Sequence, residues 1–360
     1  MFSTIIGLYL IGNIYIFFRG LKAIASYSVG IKVLLSILYW CGASALFIVY
    51  TLRRTDFSLS VFSFIYEIGS GWLIFTLYMV LCLLVFDIIR LFARRPIPYN
   101  FVLSIGITLC VLGYGYYNYQ HPKTKVLNLA INKKASVSSL KVVGFSDVHM
   151  GLGTGKKMIE RYVELVNAQQ PDLILISGDL IDNDISPVIK ERMDEELSRL
   201  KAPLGIYMVP GNHDYFDGIE NIRDFLGKTP IRLLCDSVVT LPNGIQIIGR
   251  DDRRSRNRLP LEKLSIQTEA SLPIILLDHQ PYDLDVTAAQ GIDLQFSGHT
   301  HRGQVWPMSF FIGRMFELSY GYEKRKDTHF YVTSGISLWG PPFRIGTNSE
   351  IVVFNLTFTN

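Results

Sequence analysis

The chain has 360 residues, of which 49% are hydrophobic and 18% charged, with a net charge of +4 and a mean hydropathy of +0.26. The charge is uneven: residues 1–120 contain eight basic and three acidic side chains, whereas the remainder contains 27 basic and 28 acidic ones. The basic balance therefore belongs to the hydrophobic part, and the pI of 8.7 gives no reason to expect a nucleic-acid partner.

Four long apolar stretches precede residue 120, at about residues 2–18, 33–52, 69–89 and 101–118. Each approaches the roughly 20 residues that a helix needs to cross the hydrocarbon core of a bilayer. Short loops bearing Arg or Lys separate them, which is not a pattern of buried globular helices. We therefore predict a transmembrane region of about four helices at 1–120. The first stretch lacks a preceding basic residue and a following cleavage site, so it is not expected to be a signal peptide.

The basic residues of the connecting loops predict an orientation in the cell membrane. If the N-terminus is outside, the inner loops hold six basic residues and the outer loop only two. These are Arg19, Lys22, Lys32, Arg90, Arg94 and Arg95 inside, and Arg53 and Arg54 outside. Since positive loops favour the cytoplasmic side, the C-terminal domain is predicted to be extracytoplasmic. Lysines at 123, 125, 133 and 134 favour the opposite orientation, but large domains cross largely regardless of charge.

Residues 121–360 are predicted to form one α/β domain. Short β-branched apolar runs alternate with helical patterns, which is typical of sheet layers covered by helices. The predicted strands are 126–131, 141–145, 173–177, 205–209, 246–249, 274–277, 293–296, 329–333 and 351–356. The predicted helices are 156–168, 187–200, 219–225 and 282–289.

Five of the seven histidines lie in polar blocks that directly follow predicted strands. The blocks are Asp147-Val148-His149, Gly178-Asp179, Gly211-Asn212-His213-Asp214, the single His279, and Gly298-His299-Thr300-His301. Side chains at the carboxyl ends of strands converge on one place, and glycine turns allow close approach. Each block alone is unspecific, because surface Asp/His pairs, Gly-Asp turns and interior histidines are common. Together the blocks predict a site for two metal ions.

The order of these blocks resembles the calcineurin-like metallophosphoesterase superfamily over about residues 126–357. The resemblance narrows to the membrane-associated YkuE-like branch, because Trp339-Gly340-Pro341-Pro342 and then Arg344 and Gly346 follow the last block. It implies a four-layer α-β-β-α sandwich at 121–360, preceded by the four-helix transmembrane region. It also implies a division of ligands: Asp147, His149 and His301 for one ion, Asn212, His279 and His299 for the other, and Asp179 bridging both. His213 would lie outside the metal shell.

These residue types suit the hydrolysis of phosphoester bonds. A bridging carboxylate offsets the repulsion of two ions about 3.5–4 Å apart, and a hydroxide shared by them attacks phosphorus. His213 can donate a proton to the phosphoryl or leaving oxygen, and Asp214 is expected to hold its tautomer. Nitrogen and oxygen ligands fit Mn²⁺, Fe or Zn²⁺. We expect a membrane-anchored enzyme for a phosphodiester, phosphomonoester or pyrophosphate, with lipid and envelope phosphoesters among the candidate substrates; no protein partner is predicted.

Three further features bear on the substrate. Arg302 stands where related chains commonly have Gly, and it could clamp a second phosphate or lie solvated at the rim. Arginines at 253, 254, 256 and 258 could steer anions or form a plain charged loop. Residues 308–316 are apolar and could contact a bilayer, hold acyl chains or belong to the core.

Two other functions stay open. One is a non-catalytic metal-binding scaffold or sensor, although such a protein has no need of His213. The other is a transporter or sensor with an accessory esterase, although the helices lack interior charges that would mark a pathway. The acidic Asp87 lies near a helix end and is expected to pair with Arg90.

Overall fold

The structure, a computed structural model, describes residues 2–52, 58–94 and 97–359. The chain divides into two compact units. The helical unit is Met1–Tyr117 with the segment Gly340–Ile345, and the α/β unit is Asn118–Trp339 with Gly346–Asn360. The division falls close to the expected residue 120, but nothing in the sequence indicated that Gly340–Ile345 belongs with the helices.

The helical unit contains four long helices. They are α1 (Phe2–Ala23), α2 (Val29–Leu52), α3 (Leu59–Ala93) and α4 (Asn100–Gln120). Each is long and apolar enough to cross a membrane, as the sequence predicted. Arg53, Arg54 and Arg95, which enter the predicted orientation, lie outside the described residues.

Polar contacts join the helices of this unit. The side-chain oxygen of the buried Asn13 accepts hydrogen bonds from Tyr39 Oη at 2.9 Å and Trp72 Nε1 at 3.0 Å. Asp87 of α3 pairs with Arg19 of α1, with Nη1 and Oδ2 2.7 Å apart. The expected pairing of Asp87 with Arg90 was wrong. Helix α1 packs against α3 and places Arg19, which is distant in sequence, beside Asp87. Such interhelical contacts satisfy polar groups that lipid cannot.

The α/β unit contains twelve strands and seven α-helices within the described residues. In chain order they are β1 (Lys123–Ile131), β2 (Ser139–Phe145), α5 (Lys156–Asn167), β3 (Leu173–Ser177), α6 (Ser186–Lys190), α7 (Met193–Leu197), β4 (Ile206–Val209), α8 (Ile219–Leu226), β5 (Ile231–Leu233), β6 (Ser237–Thr240), β7 (Gln246–Gly249), α9 (Leu261–Ser265), β8 (Ile274–Leu277), α10 (Leu284–Ala289), β9 (Leu294–Ser297), α11 (Met308–Met315), β10 (Gly321–Arg325), β11 (Thr328–Val332) and β12 (Glu350–Phe358).

The strands form two six-stranded sheets. The first has the order β1-β12-β2-β3-β4-β5 and the second the order β10-β11-β9-β8-β7-β6. In the first, β2, β3 and β4 are mutually parallel, and in the second, β7, β8 and β9 are. Each parallel set therefore presents its carboxyl ends at one edge of its sheet.

Alternating side chains build one core between the sheets and one under each helical layer. Leu173 and Leu175 of β3 lie in the central core, which also contains Ile247 of β7, whereas Ile174 and Ile176 pack under α5 to α8. Period-two alternation lets one buried strand serve both cores. On the second sheet, helix α9 covers the outer face. The predicted α-β-β-α sandwich is confirmed.

Some elements differ from the predicted ones. The predicted helix 187–200 is interrupted, because Arg192 adopts a left-handed conformation (φ 55°) between α6 and α7. Strands β5, β6 and β10 and helices α9 and α11 were not predicted; each is short, with too few residues to establish a period.

Candidate metal centre

The loops after β2 and β3 run side by side past the ends of the strands. Asp147 N donates to Gly178 O at 3.0 Å, and His149 N donates to Asp179 O at 3.1 Å. A bridge between Met150 and Ile181 continues the same parallel pairing. The backbone therefore fixes three side chains of the predicted site, those of Asp147, His149 and Asp179, with respect to one another.

Five of the predicted ligands have a left-handed backbone. They are Asp147 (φ 55°), His149 (49°), Asp179 (53°), His299 (72°) and His301 (49°). Such conformations cost about 1–3 kcal/mol each for residues other than glycine, and they persist where the surroundings hold them. Their concentration at these strand ends is typical of a functional site.

Glycine at 211 permits the close approach of the β4 loop to Asp179. A Cβ atom at Gly211 would lie 2.5 Å from the backbone nitrogen of Asp179 and would overlap its carboxylate. This contact explains why glycine precedes the Asn212-His213 pair. His213 N then donates to Asp179 Oδ1 at 2.8 Å, which ties the two loops together.

The first group of candidate ligands is Asp147, His149 and His301. Their ligand atoms lie within 4.8 Å of one another, and all three residues are buried. The two Nε2 atoms of His149 and His301 face each other at 3.2 Å, and His301 Nε2 is 3.4 Å from Asp147 Oδ1. Two imidazole nitrogens and a carboxylate that converge in a buried place are a donor set for a divalent ion.

The second group is Asp179, His279 and His299. His279 Nδ1 donates to Ser177 O at 2.7 Å, which turns Nε2 toward Asp179 Oδ2 at 3.2 Å. A backbone partner of this kind fixes the tautomer of a ligating imidazole. Burial, followed by the neighbouring His279, lowers the pKa of His299 to about 3, so its ring is neutral as a ligand must be.

Asn212 follows β4 and carries a further candidate oxygen ligand. Its Oδ1 atom is buried and has no hydrogen-bond partner among the described residues. A buried polar atom without a partner costs about 1–3 kcal/mol, and a cation would satisfy it. Together with the converging Nε2 atoms, this oxygen makes the residues fit divalent ions held by nitrogen and oxygen.

His213 lies beside the first group and is held by a residue that the sequence did not indicate. Its ring centroid is 4.6 Å from that of His149. Its Nδ1 lies 2.9 Å from the backbone oxygen of Asp182 and 3.0 Å from Asp182 Oδ1. The same Oδ1 is 3.5 Å from His149 Nδ1. Asp182 therefore orients a proposed acid and a proposed ligand; its only signal was its position three residues after Asp179.

Asp214 does not hold His213, and that expectation was wrong. Its buried carboxylate accepts hydrogen bonds from the backbone N–H groups of Gly211 (2.8 Å), Asp179 (2.9 Å) and Ile181 (3.0 Å). A buried carboxylate requires donors, and the β3 and β4 loops supply them. Asp214 therefore joins the two loops that carry Asp179 and Asn212.

The pKa values of Asp182 and His213 are shifted in opposite directions. Burial opposes the ionisation of Asp182, but hydrogen bonds with His149 and His213 lower its pKa to about 2. Burial also opposes the protonation of His213, but the hydrogen bond with Asp182 and the charges of Asp179 and Asp182 together outweigh it, and the pKa is raised. The pair thus favours an imidazolium with a proton to give.

Aromatic and basic side chains surround the centre. Phe216 and Trp339, both exposed, have ring centroids 4.9 Å and 6.2 Å from that of His213. Arg254 lies over Phe216 at 4.4 Å, whereas Arg253 and Arg258 form ion pairs with Asp283 and Asp278. Arg302 lies over the ring of Tyr320 at 4.3 Å. Of the alternatives left open for residues 308–316, a place in the core does not hold for α11, since none of its residues is buried.

Comparison with known proteins identifies the family. Residues 140–303 match the model of the calcineurin-like phosphoesterase family. An uncharacterized metallophosphoesterase of Helicobacter pylori is 35% identical over 276 residues, which cover 74% of this chain and 73% of that protein. The chain belongs to the calcineurin-like phosphoesterase family.

Two other relatives in this family resemble the chain beyond the site. The uncharacterized metallophosphoesterase YkuE of Bacillus subtilis is 28% identical over 273 residues, covering 72% of this chain and 94% of YkuE. A transmembrane protein with metallophosphoesterase domain from Danio rerio is 33% identical over 268 residues, covering 69% of this chain and 61% of that protein. The predicted resemblance is confirmed.

Proposed function

We propose that this phosphoesterase is anchored in a membrane and hydrolyses phosphoester bonds with two divalent ions. The observation that supports it most is the position of Asp179. Its Oδ2 lies 3.8 Å from His149 Nε2 and 3.2 Å from His279 Nε2, so that one carboxylate faces both groups of candidate ligands. A shared carboxylate is what two neighbouring cations require to offset their repulsion.

The ligands would divide as the resemblance implies. One ion would be held by Asp147, His149 and His301, the other by Asn212, His279 and His299, with Asp179 shared. Such ions, when bound, neutralise charge on the phosphoryl oxygens and lower the pKa of water for attack on phosphorus. The nitrogen and oxygen donors fit Mn²⁺, Fe or Zn²⁺.

The residues around the ligands would donate a proton to the substrate and hold the loops that carry the ligands in place. His213 would donate a proton to the leaving oxygen, because its Nδ1 is engaged by Asp182 and its imidazolium form is favoured. Asp214 would keep the β3 and β4 loops at a fixed separation through the hydrogen bonds that it accepts from their backbone N–H groups. The candidate substrates are phosphodiesters, phosphomonoesters and pyrophosphates, including those of lipids and envelope components.

The test is turnover of bis-p-nitrophenyl phosphate and of the corresponding monoester by the purified full chain, with metal content measured by mass spectrometry. We expect His213→Ala to lower kcat by about 10²–10⁴-fold without loss of metal. We expect Asn212→Ala to lower both turnover and metal content. The exposed Asn257→Ala is the matched control. Undiminished turnover in both variants would contradict the mechanism, whereas absence of turnover in the metal-loaded, unmodified chain would favour a non-catalytic scaffold.

The α/β unit is proposed to be extracytoplasmic. The support is the excess of basic residues in the loops that would then be cytoplasmic. Protease added to sealed, right-side-out vesicles should cleave the α/β unit, and complete protection would reverse the assignment.

A further inference from the structure

Helix α11 is apolar, but no other part of the α/β unit buries its side chains. No residue of α11 is buried. Met308, Phe310, Phe311 and Met315 are between 44% and 64% exposed. A contiguous exposed patch of large apolar side chains marks a surface that binds a partner or a membrane. We call the exposed apolar side chains of α11 the apolar helix surface.

Both ends of α11 are fixed to the candidate metal centre. At its start, Gly303 has φ +73°, and a Cβ there would lie 2.5 Å from the backbone nitrogen of Ser309. The helix therefore begins directly against the turn that carries His301. Just after its end, the ring of Phe316 lies 5.7 Å from that of His299. Helix α11 thus lies next to two candidate ligands of the second sheet, His301 and His299.

The composition of α11 fits a lipid surface. Arg314 lies over Phe310 at 3.6 Å and forms no ion pair with an acidic side chain in the part of the chain that the structure describes. Aromatic and aliphatic side chains combined with an unpaired cation are typical of helices that lie in the interface of an anionic bilayer. A protein partner would need a surface of complementary shape, whereas a bilayer needs only apolar side chains and a nearby cation.

The connectivity of the chain keeps the α/β unit, which carries α11, tethered to the predicted membrane helices. Only two residues, His121 and Pro122, separate α4 from β1. Four helices that are long and apolar enough to cross a membrane precede them. A short connection to such helices gives a bilayer a high effective concentration at the α/β unit.

We propose that the apolar helix surface inserts into the boundary between head groups and acyl chains, and so presents the metal centre to phosphoesters of membrane lipids. The second half of the proposal rests on the proposed phosphoesterase function. The first half does not, because insertion is measured without turnover.

The test uses the full chain in nanodiscs that contain an anionic phospholipid. In a background without Cys41, Cys82, Cys110 and Cys235, a nitroxide is attached to Phe311→Cys or to the control Ile266→Cys. Ile266 is also apolar and is 79% exposed, but it follows α9. We expect the ratio of oxygen to water-soluble nickel-chelate accessibility to be several-fold higher at 311 than at 266.

Three outcomes would overturn the proposal. Equal ratios at 311 and 266 would show that α11 stays in water. Strong spin–spin broadening at 311 would show that a second copy covers it. If labels insert but the double variant Phe310→Ser/Phe311→Ser leaves unchanged the turnover of a bilayer phosphoester relative to bis-p-nitrophenyl phosphate, presentation of lipid substrates is wrong. If the label at 311 inserts but the chain without the serine substitutions turns over neither substrate, the phosphoesterase function is wrong and the insertion stands.

Discussion

The two sheets contribute different chemistry to the candidate metal centre. Every carboxylate of the predicted ligand set comes from the first sheet, as Asp147 and Asp179, together with the amide of Asn212. The second sheet contributes imidazoles, of which His299 is held neutral by its low pKa. Because cations are attracted mainly by charge, metal retention should depend on the first sheet, and the second should complete and orient the coordination.

The largest effect is therefore expected for Asp179→Asn. The change keeps the shape of the side chain but removes the negative charge that faces both ligand groups. We expect metal affinity to fall more than about 100-fold, because Asp179 is a candidate ligand of both ions and the loss of a residue that only supports a ligand already costs up to that much. Dialysed protein analysed by mass spectrometry should contain neither ion, and turnover should be lost.

The matched change on the second sheet is His279→Ala. It removes one imidazole donor of the second group and leaves the first group, Asp147, His149 and His301, complete. We expect one ion to be retained and turnover to be low. Equal metal loss in Asp179→Asn and His279→Ala would show that the two sheets do not differ in the way the charges indicate.

The candidate ligands of this site could be predicted from the sequence better than the residues that surround and orient them. Ligands at the ends of parallel strands were predictable, because short runs such as those ending at Phe145 and Ser177 mark buried strands and the polar residues follow at once. Asp182 was not predictable, since its role depends on the pairing of Met150 with Ile181, which brings the β3 loop beside His149.

The same limit explains the misassigned and missing features. Asp214 is adjacent to His213 in sequence, but its side chain turns to the backbone N–H groups of two loops. Arg19 meets Asp87 across 68 positions, which no local spacing indicates. The apolar composition of α11 was compatible with burial and with exposure, because composition shows how hydrophobic a segment is but not whether other residues pack over it.

An intermediate effect is expected for Asp182→Asn. The carboxylate orients His213 and raises its pKa, so its removal should lower kcat by about 10–100-fold with both ions retained. It should also lower the pKa of His213, and the proton donor would then be lost at a lower pH. The basic limb of the pH profile of kcat should therefore move toward acid.

The control for this change is Asp184→Asn, an exposed carboxylate two residues away. It should leave both kcat and the pH profile as they are. If Asp182→Asn lowers kcat without moving the basic limb, Asp182 has a structural role only.

The smallest effect is expected for Arg302→Ala, which tests whether the second sheet carries charge recognition as well as neutral ligands. Arg302 follows His301 directly, and its guanidinium lies over Tyr320 without an ion pair to an acidic side chain in the described part of the chain. Planar guanidinium groups bind phosphate oxygens in pairs, so its loss should raise KM for the dianionic monoester about tenfold, or about 1.4 kcal/mol. KM for the monoanionic diester should rise less.

Two further variants serve as controls. Arg302→Lys keeps the charge but loses the paired geometry, and Arg256→Ala removes an exposed arginine elsewhere. A KM that stays the same for both substrates would make Arg302 a solvated rim residue, and substrate charge would then be recognised from the first sheet and its ions alone.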